Sequence, residues 1–85
     1  MTYSVKIKRS AAKRLARIDE VDRRRLVEKI DALAENPHVG TMLKGEWNGL
    51  RRVRVGAYRI VFEVRDATLI VLVVRVGHRG EVYRR

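Results

Sequence analysis

The sequence predicts a small α+β domain, a twisted antiparallel sheet carrying an αα-hairpin on one face in the order β-α-α-β-β-β(-β). Three observations predict it. Tyr3, Val5 and Ile7 alternate with polar residues, as in a half-buried strand. Residues 11–35 then carry apolar side chains at helical spacing. After residue 50, two alternating runs flank Gly56-Ala57 and lead into a run at 68–76 that is apolar on both faces. No repeat, linker or low-complexity stretch divides the chain, so residues 1–85 are expected to form a single domain.

Each element has a local cause. Ser10 is expected to cap a short helix over 11–18, whose stripe is Ala11, Ala12, Leu15 and Ile18. Asp19 opens a second helix over 20–35, with Glu20 and Asp22 in a first turn that favours negative charge. Leu26, Ile30 and Leu33 are its buried side, and Asn36-Pro37 ends it. Arg23, Arg24 and Arg25 fan around the helix among Glu20, Asp22, Glu28 and Lys29, which predicts a solvated face. Residues 38–49 are expected to be a loop anchored by Met42, Leu43 and Trp47. A last short strand is expected at 81–83.

The hairpin at 50–65 is the most informative stretch. Gly56 at the first turn position favours a two-residue II′ connection. Val55 then pairs with Tyr58, Arg54 with Arg59 and Val53 with Ile60. Val53, Val55, Tyr58, Ile60 and Phe62 share one face, and Arg52, Arg54 and Arg59 share the other. Opposed like charges cost roughly 0.2–1 kcal/mol. Such a local conflict points to a functional site. If Asp66-Ala67 is also a two-residue turn, Glu63 pairs with Ile70, Val61 with Leu72 and Arg59 with Val74. Val61, Ile70, Leu72 and Val74 would then lie beside the arginines, as an apolar and basic surface for another chain.

The charge agrees. Twenty basic and 10 acidic residues leave a net +10, which attracts nucleic acid, anionic membrane or an acidic protein. After Lys44 every Lys or Arg is Arg, the side chain suited to bidentate phosphate contact. The absence of Cys excludes disulfides and thiolate metal sites. His38 and His78 stand forty residues apart with no matching carboxylate cluster, so no metal or other cofactor is expected. No run is long enough to span a bilayer and no signal peptide opens the chain, so the cytoplasm is the expected location. Arg52, Arg54, Arg59, His78, Arg79 and Tyr83 together match the needs of RNA cleavage. In that reaction a 2′-OH attacks the adjacent phosphate, fixed cations stabilise the dianion, and protons move at both oxygens.

Leu43-Lys44-Gly45, the stretch from Leu50-Arg51-Arg52 through Gly56-Ala57-Tyr58-Arg59 to Phe62, Val76-Gly77-His78-Arg79 and Val82-Tyr83 together resemble the RelE/ParE toxins of type II toxin–antitoxin systems. The resemblance covers nearly the whole chain. It implies a toxin whose RelE-like form is a ribosome-dependent endoribonuclease cutting mRNA in the A site, the alternative being a ParE-like poison of DNA gyrase. RelE-like enzymes use an Arg on the second hairpin strand, an Arg after the last long strand and a Tyr near the end, matching Arg59, Arg79 and Tyr83. Arg52 and Arg54 match two basic positions on the first hairpin strand, with Arg51 and Lys44 as further RNA-binding candidates. The best-known RelE pattern has Lys at the first two, one of them a general base, and Arg is effectively never deprotonated. That leaves His78, Tyr83 or a ribosomal RNA group as proton acceptor. The resemblance also implies the ribosome, mRNA and a cognate antitoxin with an acidic toxin-binding segment as partners.

Overall fold

Alternation of apolar and polar residues sets the sheet of this protein, and the computed structural model describes it over residues 2–78. Strand β1 (Ser4–Ile7) is followed by helices α1 (Arg9–Ala16) and α2 (Glu20–Leu33). A two-residue strand β2 (Thr41–Met42) and a 3-10 turn (Gly45–Trp47) lead to β3 (Arg51–Val55), β4 (Tyr58–Arg65) and β5 (Ile70–His78). The sheet order is β1-β5-β4-β3-β2.

The α+β class and the order of elements hold, with one correction to the sheet. β1 lies parallel to β5, pairing Val5 with Val71 and Ile7 with Val73, so the sheet is mixed and not wholly antiparallel. The pairing joins the two ends of the described chain. Such non-local pairing is invisible to local pattern, whereas hairpin neighbours are forced antiparallel by their short turns. The interior position expected for the doubly apolar strand is observed, since β5 sits between β1 and β4.

One face of the sheet carries the core. Ala11, Leu15 and Ile18 and then Leu26, Ile30 and Leu33 pack on Val53, Ile60, Phe62, Val71, Val73 and Val76. Phe62, Leu26 and Ile60 are fully enclosed. The first helix begins before Ser10, with Lys8 in the N-cap position, no side-chain cap bond and Ser10 inside the first turn. The cause is the tight exit from β1, where the Lys8 N–H donates to the Val73 carbonyl and the chain turns at once. The loop expected at 38–49 gains β2 and the 3-10 turn. Gly40, at φ +82, passes so close to β3 that a Cβ there would sit 2.2 Å from the Arg52 carbonyl oxygen. The short last strand expected at 81–83 lies outside the described residues.

The first hairpin has the predicted register, Val55 with Tyr58, Arg54 with Arg59 and Val53 with Ile60. Gly56 is left-handed at φ 60 and Ala57 is not, as a II′ turn requires. The second turn differs. It spans residues 66–69, with Leu69 left-handed at φ 55, so Arg65 pairs with Ile70 and Glu63 with Leu72. A two-residue change keeps the parity, and Ile70 and Leu72 remain on the arginine face. A bulge between Val61 and Phe62 then changes it. Phe62 pairs with Val73, Val61 with Arg75 and Arg59 with Gly77, leaving Val74 as the additional residue. Valine stands at both 73 and 74, so shifting the strand by one residue exchanges like for like and burial pattern alone does not betray the bulge.

Candidate nucleic-acid interface

The sheet face away from the helices is the basic one. Arg52, Arg54 and Arg59 project from it, with Arg54 directly across from Arg59. Directly opposed side chains have Cβ atoms about 4.5–5.5 Å apart, so two guanidiniums share one small region. Val61 lies on this face and is nonetheless wholly buried. Its partner Arg75 places a guanidinium carbon 5.1 Å from the centroid of the Trp47 ring, which brings the 3-10 turn over this side of the sheet. Lys44 stands exposed immediately before that turn. The floor is therefore apolar, and its walls are cationic and aromatic.

At the hairpin tip, Arg54, Arg59, Tyr58, Gly56 and His78 line a cleft of about 240 Å³. His78 ends β5 opposite Tyr58, and their rings meet edge to face with centroids 5.4 Å apart. The imidazole is exposed, packs against Tyr58 and shares the cleft with the two arginines. Opposite Arg59, β5 contributes Gly77, which has no side chain.

The structure brings Arg52, Arg54 and Arg59 to one face of the sheet, and His78, on the face of Tyr58, meets Arg54 and Arg59 in the cleft at the hairpin tip. It does not bring Arg51 with them. Arg51 projects to the other face and donates to the His38 carbonyl oxygen at 3.3 Å. Alternation alone predicts this, since Arg51 shares parity with core-facing Val53. Arg79 and Tyr83 lie outside the described residues. Two contributors were not nominated from the sequence. Arg75 is the one charged residue of the apolar strand, a signal that was available. Arg25 lies near the tip, its Nη1 3.9 Å from the position a Cβ on Gly56 would take, and only tertiary packing puts it there.

The model of the ParE toxin of type II toxin–antitoxin systems (parDE) matches residues 5–83. The chain belongs to the RelE/ParE toxins. It falls on the RelE-like side of that superfamily. A RelE-like toxin protein of Escherichia coli is 31% identical over 87 residues, covering 98% of this chain and 92% of the relative. Toxin RelE of Mycobacterium tuberculosis is 33% identical over 84 residues, covering 96% and 87%. The toxin in the M. tuberculosis RelBE2 toxin–antitoxin complex superposes with a TM-score of 0.86 at 28% identity, over 93% of this chain and all of that one. This RelE-like toxin thus combines a sheet common to the superfamily with arginine at both basic positions of the first hairpin strand.

The opposite end of the sheet is polar in a different way. The Tyr3 hydroxyl donates to Asp66 Oδ1 at 2.5 Å, and His38 Nε2 lies 2.8 Å from the same oxygen. The Tyr3 hydrogen bond, then those of His38 with the charges of His38 and Arg51, hold the Asp66 carboxyl below its ordinary value against the opposing effect of desolvation. The same bond, with desolvation and the Asp66 charge, raises Tyr3. The cluster ties the start of β1 and the loop after α2 to the turn between β4 and β5. It lies a strand length from the arginine tip, about 26 Å at 3.3 Å per residue, and belongs to the framework.

Proposed function

We propose that this RelE-like toxin is a ribosome-dependent endoribonuclease that cuts mRNA in the A site by 2′-OH attack on the adjacent phosphate. The observation that carries the reading is Arg54 facing Arg59 on a sheet face that also holds Arg52. Opposed like charges cost stability across a strand pair, whereas a phosphorane dianion gains from them. Arg59 and Arg79 hold the scissile phosphate, and Arg52 and Arg54 add positive charge. His78 lines the tip cleft with Arg54 and Arg59 and serves as the proton acceptor. Tyr83 orients the nucleotide or assists proton transfer. The apolar and basic sheet face also suits an antitoxin with an acidic segment, in keeping with the antitoxin-bound state of the M. tuberculosis RelBE2 toxin.

Toe-printing on translating ribosomes tests the reaction. Wild-type protein should produce cuts at A-site codons. Arg59→Ala or Arg79→Ala should slow cutting by about 10²–10³-fold, the usual loss for one donor to a developing oxyanion, while antitoxin binding stays measurable. Full toxicity of both variants would remove these arginines from the chemistry. The second reading, a gyrase poison, is favoured by the ParE description of the matching family. Supercoiling inhibition by purified protein, with mRNA intact in arrested cells, would establish it in place of the first.

A further inference from the structure

A second basic surface adjoins the first and lies outside the arginine face. β2 pairs only with Arg51 and Arg52, so the edge of β3 runs on past it through Val53, Arg54 and Val55. Beside that edge, Lys29 of α2 lines a groove of about 370 Å³ together with Gly40, Thr41, Arg52, Val53 and Arg54. Arg25 is one helical turn earlier on the same side of α2 and reaches the hairpin tip at Gly56. Three cations, Lys29, Arg52 and Arg54, and no carboxylate are among its lining residues. Asp22 attracts Arg25 from the preceding turn, and a hydrogen bond to Asp19 holds the Asp22 carboxyl above its ordinary value.

We propose that this groove binds the phosphate backbone of single-stranded RNA beyond the scissile nucleotide, with Arg25 and Lys29 as the contacting cations on α2. The inference rests on the endoribonuclease reading and names where its substrate continues. Arg52 and Arg54 line the groove and also belong to the arginine face, so one strand can pass from face to groove around the edge of β3 without leaving positive charge. A protein strand added to this edge fits less well. β2 and the close approach of Gly40 already occupy it at Arg51 and Arg52, leaving three residues for a ladder. Phosphates need no ladder, only converging cations.

The test is equilibrium binding of a single-stranded RNA oligonucleotide to full-length protein across a salt series, with wild type, R25Q/K29Q and K13Q/R17Q. The last removes the same charge from the exposed Lys13 of α1 and the exposed Arg17 just after it, and controls for net charge. R25Q/K29Q should weaken binding about tenfold or more at low salt. It should flatten the plot of log K against log salt by about 1.4, since each phosphate contact on a single strand contributes about 0.7. K13Q/R17Q should leave the slope near wild type. Equal affinity and slope for wild type and R25Q/K29Q, in variants with native circular dichroism, overturn the proposal. So does loss of polyglutamate binding in R25Q/K29Q with RNA binding intact, which would make the groove a protein-docking surface. Toe-printing of the same wild-type preparation separates the two readings. RNA held through the groove without A-site cutting removes the endoribonuclease and keeps the groove, and cutting with an indifferent groove does the reverse.

Discussion

Arg54 and Arg59 illustrate how function can be read from a cost. Their opposition across a two-residue hairpin is repulsive by roughly 0.2–1 kcal/mol. Arg54→Thr replaces an exposed arginine with a good strand former. It should therefore raise stability by up to about 1 kcal/mol, measured by urea unfolding, while slowing A-site cutting. A variant both less stable and fully active would show the pair to be structural. Arg23, Arg24 and Arg25 make a related point. They are consecutive, yet Arg23 donates to the Ile18 carbonyl at 3.1 Å beyond the end of α1, and Arg24 pairs with Glu20. Arg25 alone turns to the hairpin tip. The solvated face expected from helical spacing holds for Arg24 and Arg25, both exposed, and overlooks the bond of Arg23 to the end of α1.

At the level of elements, the β3–β4 hairpin is specified locally and the β4–β5 hairpin is not. Gly56 sets the first turn, and the alternation of valine and arginine on either side admits a single register. The second turn is closed by Asp66, which fastens it to Tyr3 and His38. This gives a pH dependence whose sign follows from the depressed Asp66 carboxyl. Its stabilising contribution is complete above the ordinary value of 3.8 and is lost as pH falls through the lower folded value. Melting temperature plotted against pH should thus drop on the acid side more steeply for wild type than for Asp66→Asn. Superimposable acid limbs would mean that the cluster contributes nothing to folding. The cluster is remote from the arginine tip, so Asp66→Asn should also leave A-site cutting intact under conditions where it is folded.

For the molecule as a whole, size and charge set the margins. A chain of 85 residues buries a modest core, and among the described residues one helix pair on one sheet face supplies it. Phe62 is fully enclosed at its centre. Phe62→Ala should cost about 3–5 kcal/mol, out of a total on the order of 5–15 kcal/mol. That corresponds to a fall in melting temperature of at least about 12 °C for a domain of this length. A smaller fall would mean that the helices collapse onto the vacated space. The net charge of +10 works in the other direction, drawing polyanions to the molecule while repelling itself.

The sequence by itself determined the α+β class, the order of elements, the register of the arginine hairpin and the identity of the basic face. Each of these depends on contacts between near neighbours, where a period of two or of 3.6 residues leaves one arrangement that buries the apolar side chains. Only the tertiary structure decided the parallel docking of β1 on β5, the bulge that sets Arg75 opposite Val61, the approach of Trp47 to Arg75 and the arrival of Arg25 and Lys29 beside β3. These join residues distant in the chain, or turn on a choice between adjacent valines that burial alone does not distinguish. The arginine face could be read along one hairpin; the groove beside it required a helix some thirty residues away to be folded against that hairpin's edge.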